Sequence, residues 1–412
     1  MQEDGSMSFV VRCMQCGRET EEPSADSCPS CGGLLNVEID LSQLSKLNIH
    51  TLRRRPIGVW RYAEFLPVDA RKAITIKEGG TPLYDCRTLA KVVGVRCLYV
   101  KHEGMNPTGS FKDRGMTVGV SRAMELGCKV VGCASTGNTS ASLAAYAAKA
   151  GLSCVVLLPS GKVALGKLAQ ALFFGAKVIM VDGNFDDALG VVRELAREGH
   201  LYLLNSINPF RPEGQKTIGF EIADQLGMEL PDKIVVPVGN AANIWAIYKG
   251  LKEWQDLGWI DEMPQLIGVQ AEGSNPIARA FREHREDFDP VVEPETVATA
   301  IRIGNPASGK KALRAIYDTK GYVTDVSDEE ILEAQVMLGR KEGIGVEPAS
   351  AASIAGVIKL RREGVITADD SLACVCTGNV LKDPDTVIKH SAPIIKAKAE
   401  VNEVKRLILA RD

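Results

Sequence analysis

The chain has 412 residues, 45% of them hydrophobic and 25% charged, with 39 glycines and a formal net charge of −3. That length exceeds what one hydrophobic core usually organises, so two or more domains are expected. The balanced charge leaves no basic footprint for nucleic acid, and no apolar run reaches the length of a membrane span.

Met1 to Ser8 lack the basic start and apolar core of a secretory signal, so a cytoplasmic protein is expected. Two cysteine pairs follow, Cys13-Met-Gln-Cys16 and Cys28-Pro-Ser-Cys31, each backed by a glycine (Gly17, Gly32) that lets the chain turn tightly. Four soft thiolates in two such turns suit a tetrahedral zinc site with every position filled by protein, hence a structural metal. The remaining seven cysteines (Cys86, Cys97, Cys128, Cys133, Cys154, Cys374, Cys376) are scattered, most of them in apolar runs. An odd total without a signal argues for free thiols and against a disulfide framework.

The next informative segment is the turn-rich run Asn106-Pro-Thr-Gly-Ser-Phe-Lys-Asp-Arg-Gly115, which leads into a helix-forming stretch. It sets Lys112 at the helix start, the wrong end for a cation. The lysine is either a solvated charge or a Schiff-base lysine whose amine is easier to deprotonate there. Strand-length apolar runs then recur at 129–134, 153–158, 177–181, 201–204, 233–238 and 265–270, with helical spacing at 139–149, 162–174, 185–197 and 213–226. Helices at 328–342 and 348–362, a last strand at 372–377 and an amphipathic tail helix at 397–409 complete the pattern. Near-continuous apolar strands alternating with helices indicate parallel sheets covered on both faces.

Ligands of such sheets lie beyond the carboxyl ends of the strands, and the polar clusters occur there. Ser135, Thr136, Asn138 and Thr139 surround Gly137 at a helix start, where they serve equally well as a cap or an anion cradle. Gly239, Asn240, Ala241, Ala242 and Asn243 form either an ordinary strand-to-helix loop or a nest of amides for one phosphate. Arg211, with Asn205 and Ser206 nearby, is either loop decoration or a bidentate phosphate clamp. Thr377 ends an apolar strand, an unremarkable place for a β-branched hydroxyl. None of the five histidines lies in a recognisable catalytic string.

From Gly79-Gly-Thr-Pro-Leu83 to Pro384 these strings, in this order, resemble those of the threonine synthases, a family of tryptophan-synthase-β-like (fold type II) pyridoxal-phosphate enzymes. An N-terminal zinc ribbon is an accessory of some archaeal-type members. The resemblance implies two doubly wound α/β domains with pyridoxal 5'-phosphate in the cleft between them. The domains would be a ribbon over 1–40, a large domain over 41–100 and 205–412, and a small domain over 101–204. It implies that Lys112 carries the cofactor and serves as acid and base, that Asn138 bonds its phenolic oxygen, that residues 239–243 take its phosphate, and that Thr377 bonds its ring nitrogen. Ser135, Thr136 and Thr139 would help hold the substrate's phosphate and carboxylate. Asn205, Ser206 and Arg211 would bind the phosphate of O-phospho-L-homoserine, which with water gives L-threonine and phosphate. A homodimer is expected.

Two positions depart from the family's pattern. Ala242 replaces a glycine in the phosphate loop, and Asn379 replaces a histidine after Thr377. Three other readings stay open. A serine/threonine dehydratase would share the lysine but need no phosphate clamp, a cysteate synthase would keep the clamp but replace at Cβ, and a zinc-ribbon binding module would make the large body a scaffold.

Overall fold

The computed structural model describes residues 8–22, 24–160, 165–390 and 394–409. The N-terminal miniature is a two-stranded antiparallel ribbon, β1 (Phe9–Cys13) against β2 (Leu35–Ile39), with Cys13 opposite Leu35. The turns after each cysteine pair place Gly17 and Gly32 at φ 73° and 71°, the left-handed conformation glycine adopts without penalty.

Two sheets form the body. The larger has six strands: β3 (Leu83–Asp85), β4 (Cys97–His102), β9 (Lys233–Pro237), β10 (Gln265–Ala271), β11 (Tyr322–Val326) and β12 (Ser371–Cys376). Their order is β11-β10-β9-β12-β4-β3, parallel except for the antiparallel edge strand β3. The smaller sheet contains β5 (Val130–Ala134), β6 (Ser153–Pro159), β7 (Lys177–Val181) and β8 (Tyr202–Leu203), ordered β7-β6-β5-β8 and parallel throughout. Helices cover the faces, as buried apolar strands require, except along the edge strand β7, which stays largely exposed against the expectation of sheets covered on both faces. Among the described residues, no helix is long and apolar enough to cross a membrane.

The apolar runs at 129–134, 153–158, 177–181, 201–204, 233–238, 265–270 and 372–377 coincide with strands, and 185–197, 328–342 and 348–362 are helices to the residue. The stretch read as one helix over 213–226 is two, Arg211–Gln215 and Thr217–Gln225. Gly214 explains how the first lies so close to its neighbour: a Cβ there would sit 1.7 Å from the Arg114 carbonyl oxygen. The helix expected from Lys162 is seen over Leu165–Phe173, and its first expected turn falls partly outside the described residues. The tail helix is shorter than expected, Val401–Leu409. Strands β3, β4 and β11 were not expected.

The topology brings the polar clusters together. β9 and β12 are parallel neighbours, so the loops after them, at Gly239 and Thr377, lie side by side. β5 and β8 are neighbours in the other sheet, which sets the loops at Ser135 and Asn205 together. The Lys112 segment follows β4, the other neighbour of β12.

Candidate active site

Lys112 opens the helix Lys112–Glu125, and its loop is stitched to the end of β12. The Phe111 amide donates to the Thr377 carbonyl (2.9 Å) and the Asn379 amide to the Gly109 carbonyl (2.9 Å). Asp113 anchors the other side, accepting from the Thr108 amide (2.7 Å) and the Thr108 and Ser142 hydroxyls (2.6 Å each). Lys112 Nζ lies 4.3 Å from the centroid of the Phe111 ring. Burial, then the charge of Arg211, pushes the amine's pKa down to about 7 against the opposing pull of Glu347. The side chain nonetheless keeps some contact with solvent. An amine with a large unprotonated fraction near pH 7 is what carbonyl capture requires.

Arg211 begins the five-residue helix Arg211–Gln215 and is 1% exposed. Gly115 admits it: a Cβ there would lie 3.0 Å from the Arg211 carbonyl oxygen and 3.3 Å from its Cβ. Its Nη1 donates to the Leu204 carbonyl (3.3 Å), its Nε has no partner, and among the described residues no carboxylate pairs with it. Burial accordingly pushes the guanidinium's pKa down to about 10. Asn205 exchanges two hydrogen bonds with the backbone of Ala134 (2.9 and 3.0 Å), tying the end of β8 to the end of β5. Its amide is therefore largely spent on positioning the Ser135 loop. Ser206 remains partly exposed beside it.

At the end of β5 the helix Asn138–Ala150 starts without a side-chain cap; the Ser135 hydroxyl accepts from the Gly137 amide (3.2 Å). Of the cap and anion-cradle alternatives, the cap is thus not used. Asn138 Nδ2 donates to both Glu347 oxygens (3.2 Å each), while Ser135, Thr136 and Asn138 are partly exposed and Thr139 is buried. Burial raises the Glu347 pKa although the bond from Asn138 opposes it.

The Gly239–Asn243 loop leads into the helix Ala242–Asp256. A Cβ at Gly239 would come within 3.0 Å of Ile301 Cα, so glycine permits the close backbone approach there. The left-handed residue is Ala241, at φ 67°, and Ala242 is the first helical residue. The substitution at 242 therefore carries no backbone strain. Asn240 is fixed by the Ser308 amide, which donates to its carbonyl (3.1 Å). Asn243 is buried with neither its amide nitrogen nor its oxygen partnered. An αL residue followed by helix forms the amide concavity that suits an anion, and the orphaned Asn243 side chain faces the same need for a ligand.

Thr377 is 5% exposed, with its Oγ1 3.0 Å from Ser350 Oγ. Ser350 also accepts from the Gly378 amide (2.8 Å), which leaves the Thr377 hydroxyl as a fixed, rotatable partner. Asn379 has a local explanation. Its Oδ1 accepts from the Leu381 amide (3.0 Å), and it lines a cavity of about 260 Å³ with Tyr84, His102 and Glu342. Sequence reasoning missed Glu347 and Ser350; their contacts come from another helix, Pro348–Arg362 and its cap, and have no local signature.

Two residues beyond Lys112, Arg114 shows how the same core treats a paired cation. It meets Glu103 (2.6 Å) and Glu221 (2.8 Å), with Lys101 also on Glu221 (2.6 Å), all fully buried. Burial alone would lower the Arg114 pKa, but the charges of Glu103 and Glu221 raise it well above the ordinary value.

In the ribbon, the sulfurs of Cys13, Cys16, Cys28 and Cys31 all lie within 4.8 Å of one another. The Gln15 and Cys16 amides donate to Cys13 Sγ (3.4 and 3.5 Å), as amides around a thiolate do.

The family model of pyridoxal-phosphate dependent enzymes matches residues 74–378. The threonine synthase of Methanocaldococcus jannaschii is 59% identical over 97% of this chain and 99% of its own length. That of Methanosarcina acetivorans is 56% identical over 98% and 99%. Among solved structures, diaminopropionate ammonia lyase from Escherichia coli superposes with a TM-score of 0.66 at 15% identity, covering 93% of this chain and 97% of the other. Threonine deaminase isoform 2 from Solanum lycopersicum does so at 0.64 and 21%, over 76% and 83%. Those two show the shared fold. By its motifs, its architecture and its likeness over nearly its whole length, the chain belongs to the pyridoxal-phosphate dependent enzymes and, among them, to the threonine synthases.

Proposed function

We propose that this chain converts O-phospho-L-homoserine and water to L-threonine and phosphate, with Lys112 at the reacting carbons and Arg211 on the substrate's phosphate. The observation that carries this reading is Arg211, a buried cation with no carboxylate partner among the described residues, whose charge lowers the Lys112 pKa. A desolvated, unpaired guanidinium is costly unless a ligand supplies the anion.

Pyridoxal phosphate, when bound, supplies the electron sink that lets a proton leave Cα and phosphate leave Cγ. The orphaned Asn243 amide and the backbone of residues 239–243 fit its phosphate, and Asn138 and Thr377 fit its phenolic oxygen and ring nitrogen. A threonine partner carries no charge, so it leaves that nitrogen largely unprotonated. Lys112 Nζ, substantially unprotonated near pH 7, would hold the cofactor at rest and would then move protons at Cα and Cβ. Arg211 and Ser206 hold the departing phosphate. Ser135, Thr136 and Thr139 line the substrate side, and Asn205 acts by holding the Ser135 loop. Glu347 fixes the Asn138 amide.

The four ribbon thiolates fit one zinc ion with no open position, which makes it a fastening for the fold. The reading includes a small domain built on β5–β8, a large one on the six-stranded sheet, a cytoplasmic homodimer, and no role for nucleic acid or membrane. Borohydride reduction of the holoenzyme followed by peptide mapping tests the assignment: the reduced cofactor is expected on Lys112. An adduct on another lysine refutes it. Parallel assays with O-phosphohomoserine, with threonine, and with phosphoserine plus sulfite separate the synthase from the dehydratase and cysteate-synthase readings.

A further inference from the structure

The ribbon does not hang from the body; it is built into the wall behind Arg211. Phe9 of β1 meets Phe210 edge-on, with ring centroids 5.8 Å apart at 87°, and Phe210 is the residue before Arg211. The Arg122 guanidinium lies over both rings, 5.6 Å from Phe9 and 5.0 Å from Phe210. Val37 of β2 is fully buried in one apolar cluster with Phe210, Val59 and Val118. On the other side of the same short helix, Glu213 is fully buried between Lys216 (2.7 Å) and Lys249. Lys249 also donates to the Val37 carbonyl of the ribbon (2.6 Å). A second lysine repeats the pattern: Lys311 donates to the Leu35 carbonyl (2.9 Å) and sits over Trp245, in the first turn of the helix that follows the 239–243 loop.

A five-residue helix has little stability of its own, so its placement comes from what it packs against. Here Phe210 and Glu213, immediately before and two residues after Arg211, are both held by ribbon strands or by the lysine that binds them. Both ribbon carbonyls are thus held by short hydrogen bonds from buried lysine amines, at 2.6 and 2.9 Å. They leave with the ribbon, because no other segment supplies those carbonyls.

We infer that the cysteine ribbon is a positioning element of the substrate-phosphate site: through Phe9 and the Val37 carbonyl it sets the helix that carries Arg211. This rests on the reading of Arg211 given above. It makes Phe9, Lys249 and Lys311 positioning residues, acting on substrate through Arg211 and the loop beside it without touching it.

The test uses the full-length holoenzyme and four variants, Phe9→Ala, Phe9→Tyr, Lys311→Met and Arg211→Met. Readouts are KM and kcat with O-phosphohomoserine, binding of inorganic phosphate by calorimetry, the cofactor absorption band and zinc content. Displacing a clamp by a fraction of an ångström is expected to raise KM and weaken phosphate binding by about tenfold in Phe9→Ala, with kcat changed less than about twofold. Phe9→Tyr, which keeps the ring, is expected to restore both, with zinc and cofactor unchanged throughout. Wild-type KM and phosphate affinity in Phe9→Ala overturn the inference, as does a loss confined to kcat or to thermal stability. Should Phe9→Ala fail to fold, Lys311→Met is scored by the same two criteria. Arg211→Met separates the levels. If it leaves KM and phosphate binding unchanged, the reading of Arg211 itself falls; if it weakens both while the ribbon variants do not, only the positioning role falls.

Discussion

Arg114 and Arg211 are both fully buried arginines on helices that pack together, yet the protein treats them oppositely. Arg114 is enclosed by Glu103 and Glu221 and donates as well to the Thr217 hydroxyl (3.0 Å). Arg211 has a single carbonyl and an idle Nε. Desolvation acts on both, and the difference lies in whether the chain supplies the counter-charge. Where it does, the cation belongs to the architecture. Where it does not, the missing anion has to come from outside the chain, and the site near Lys112 is where the proposed phosphate would bring it.

The contrast breaks most sharply on substitution. Arg114→Met takes the paired cation from Glu103 and leaves Glu221 with Lys101, and removal of one member of such a buried cluster is expected to destabilise the fold by roughly 3–5 kcal/mol. Chemical denaturation with a fluorescence readout measures it. Arg211→Met strands no buried carboxylate, so its denaturation midpoint is expected to hold or rise. Loss of a charge-assisted contact to substrate, worth about 1.5–3 kcal/mol, is expected instead to raise KM by roughly one to two orders of magnitude. If the two variants exchange these phenotypes, the comparison is wrong.

A smaller effect reads the field of Arg211 at Lys112. The Lys112 pKa is about 7 in the folded chain, far below the ordinary lysine value. Below that pH the amine is protonated and cannot capture an aldehyde, so the rate at which cofactor-free protein takes up pyridoxal phosphate is expected to fall as pH drops through about 7. Because Arg211 helps depress the pKa, Arg211→Met is expected to move that transition to higher pH, seen by stopped-flow absorbance. The linked stability has the same sign. Between the folded value and the ordinary one near 10.4, the unfolded chain binds the extra proton, so cofactor-free protein gains stability as pH rises through that window. The smallest effect concerns the loop at Ala241. A left-handed alanine is strained, and glycine relieves the strain while loosening the unfolded chain, so Ala241→Gly is expected to stabilise by about 0.5 kcal/mol. Cofactor retention should be unchanged in that variant, by absorbance after dialysis.

These differences explain what the sequence could disclose. Strands such as Lys233–Pro237 and Ser371–Cys376 are buried on both faces and therefore read as unbroken apolar runs. β4 escaped notice because Lys101 and His102 interrupt it, and only the fold reveals Glu221 waiting for that lysine. The 213–226 stretch reads as one helix because nothing in its spacing marks the break at Lys216. The strings around Lys112, Ser135, Asn205, Gly239 and Thr377 were visible because each is local. Their distances from one another were not, nor were Glu347 and Ser350, whose value comes from facing Asn138 and Thr377 across the fold. The ribbon's four cysteines were plain, whereas Phe9 against Phe210 joins residues 201 positions apart, and no periodicity encodes such a pair.

The placement of β4 also bears on how the molecule is assembled during synthesis. This strand leaves the ribosome early with only the short β3 to pair with, and its other neighbour, β12, is the last strand of the chain. The four strands β5 to β8 are contiguous in sequence, so that sheet can close while translation continues. The six-stranded sheet has to wait, with a cysteine-bearing, buried-type strand edge unpaired until β12 has been made. Long-range parallel pairing of this kind is slow and leaves the nascent chain open to wrong partners. Lys101, near the end of β4 and paired with Glu221 only inside the finished fold, sets a charge on that edge in the meantime.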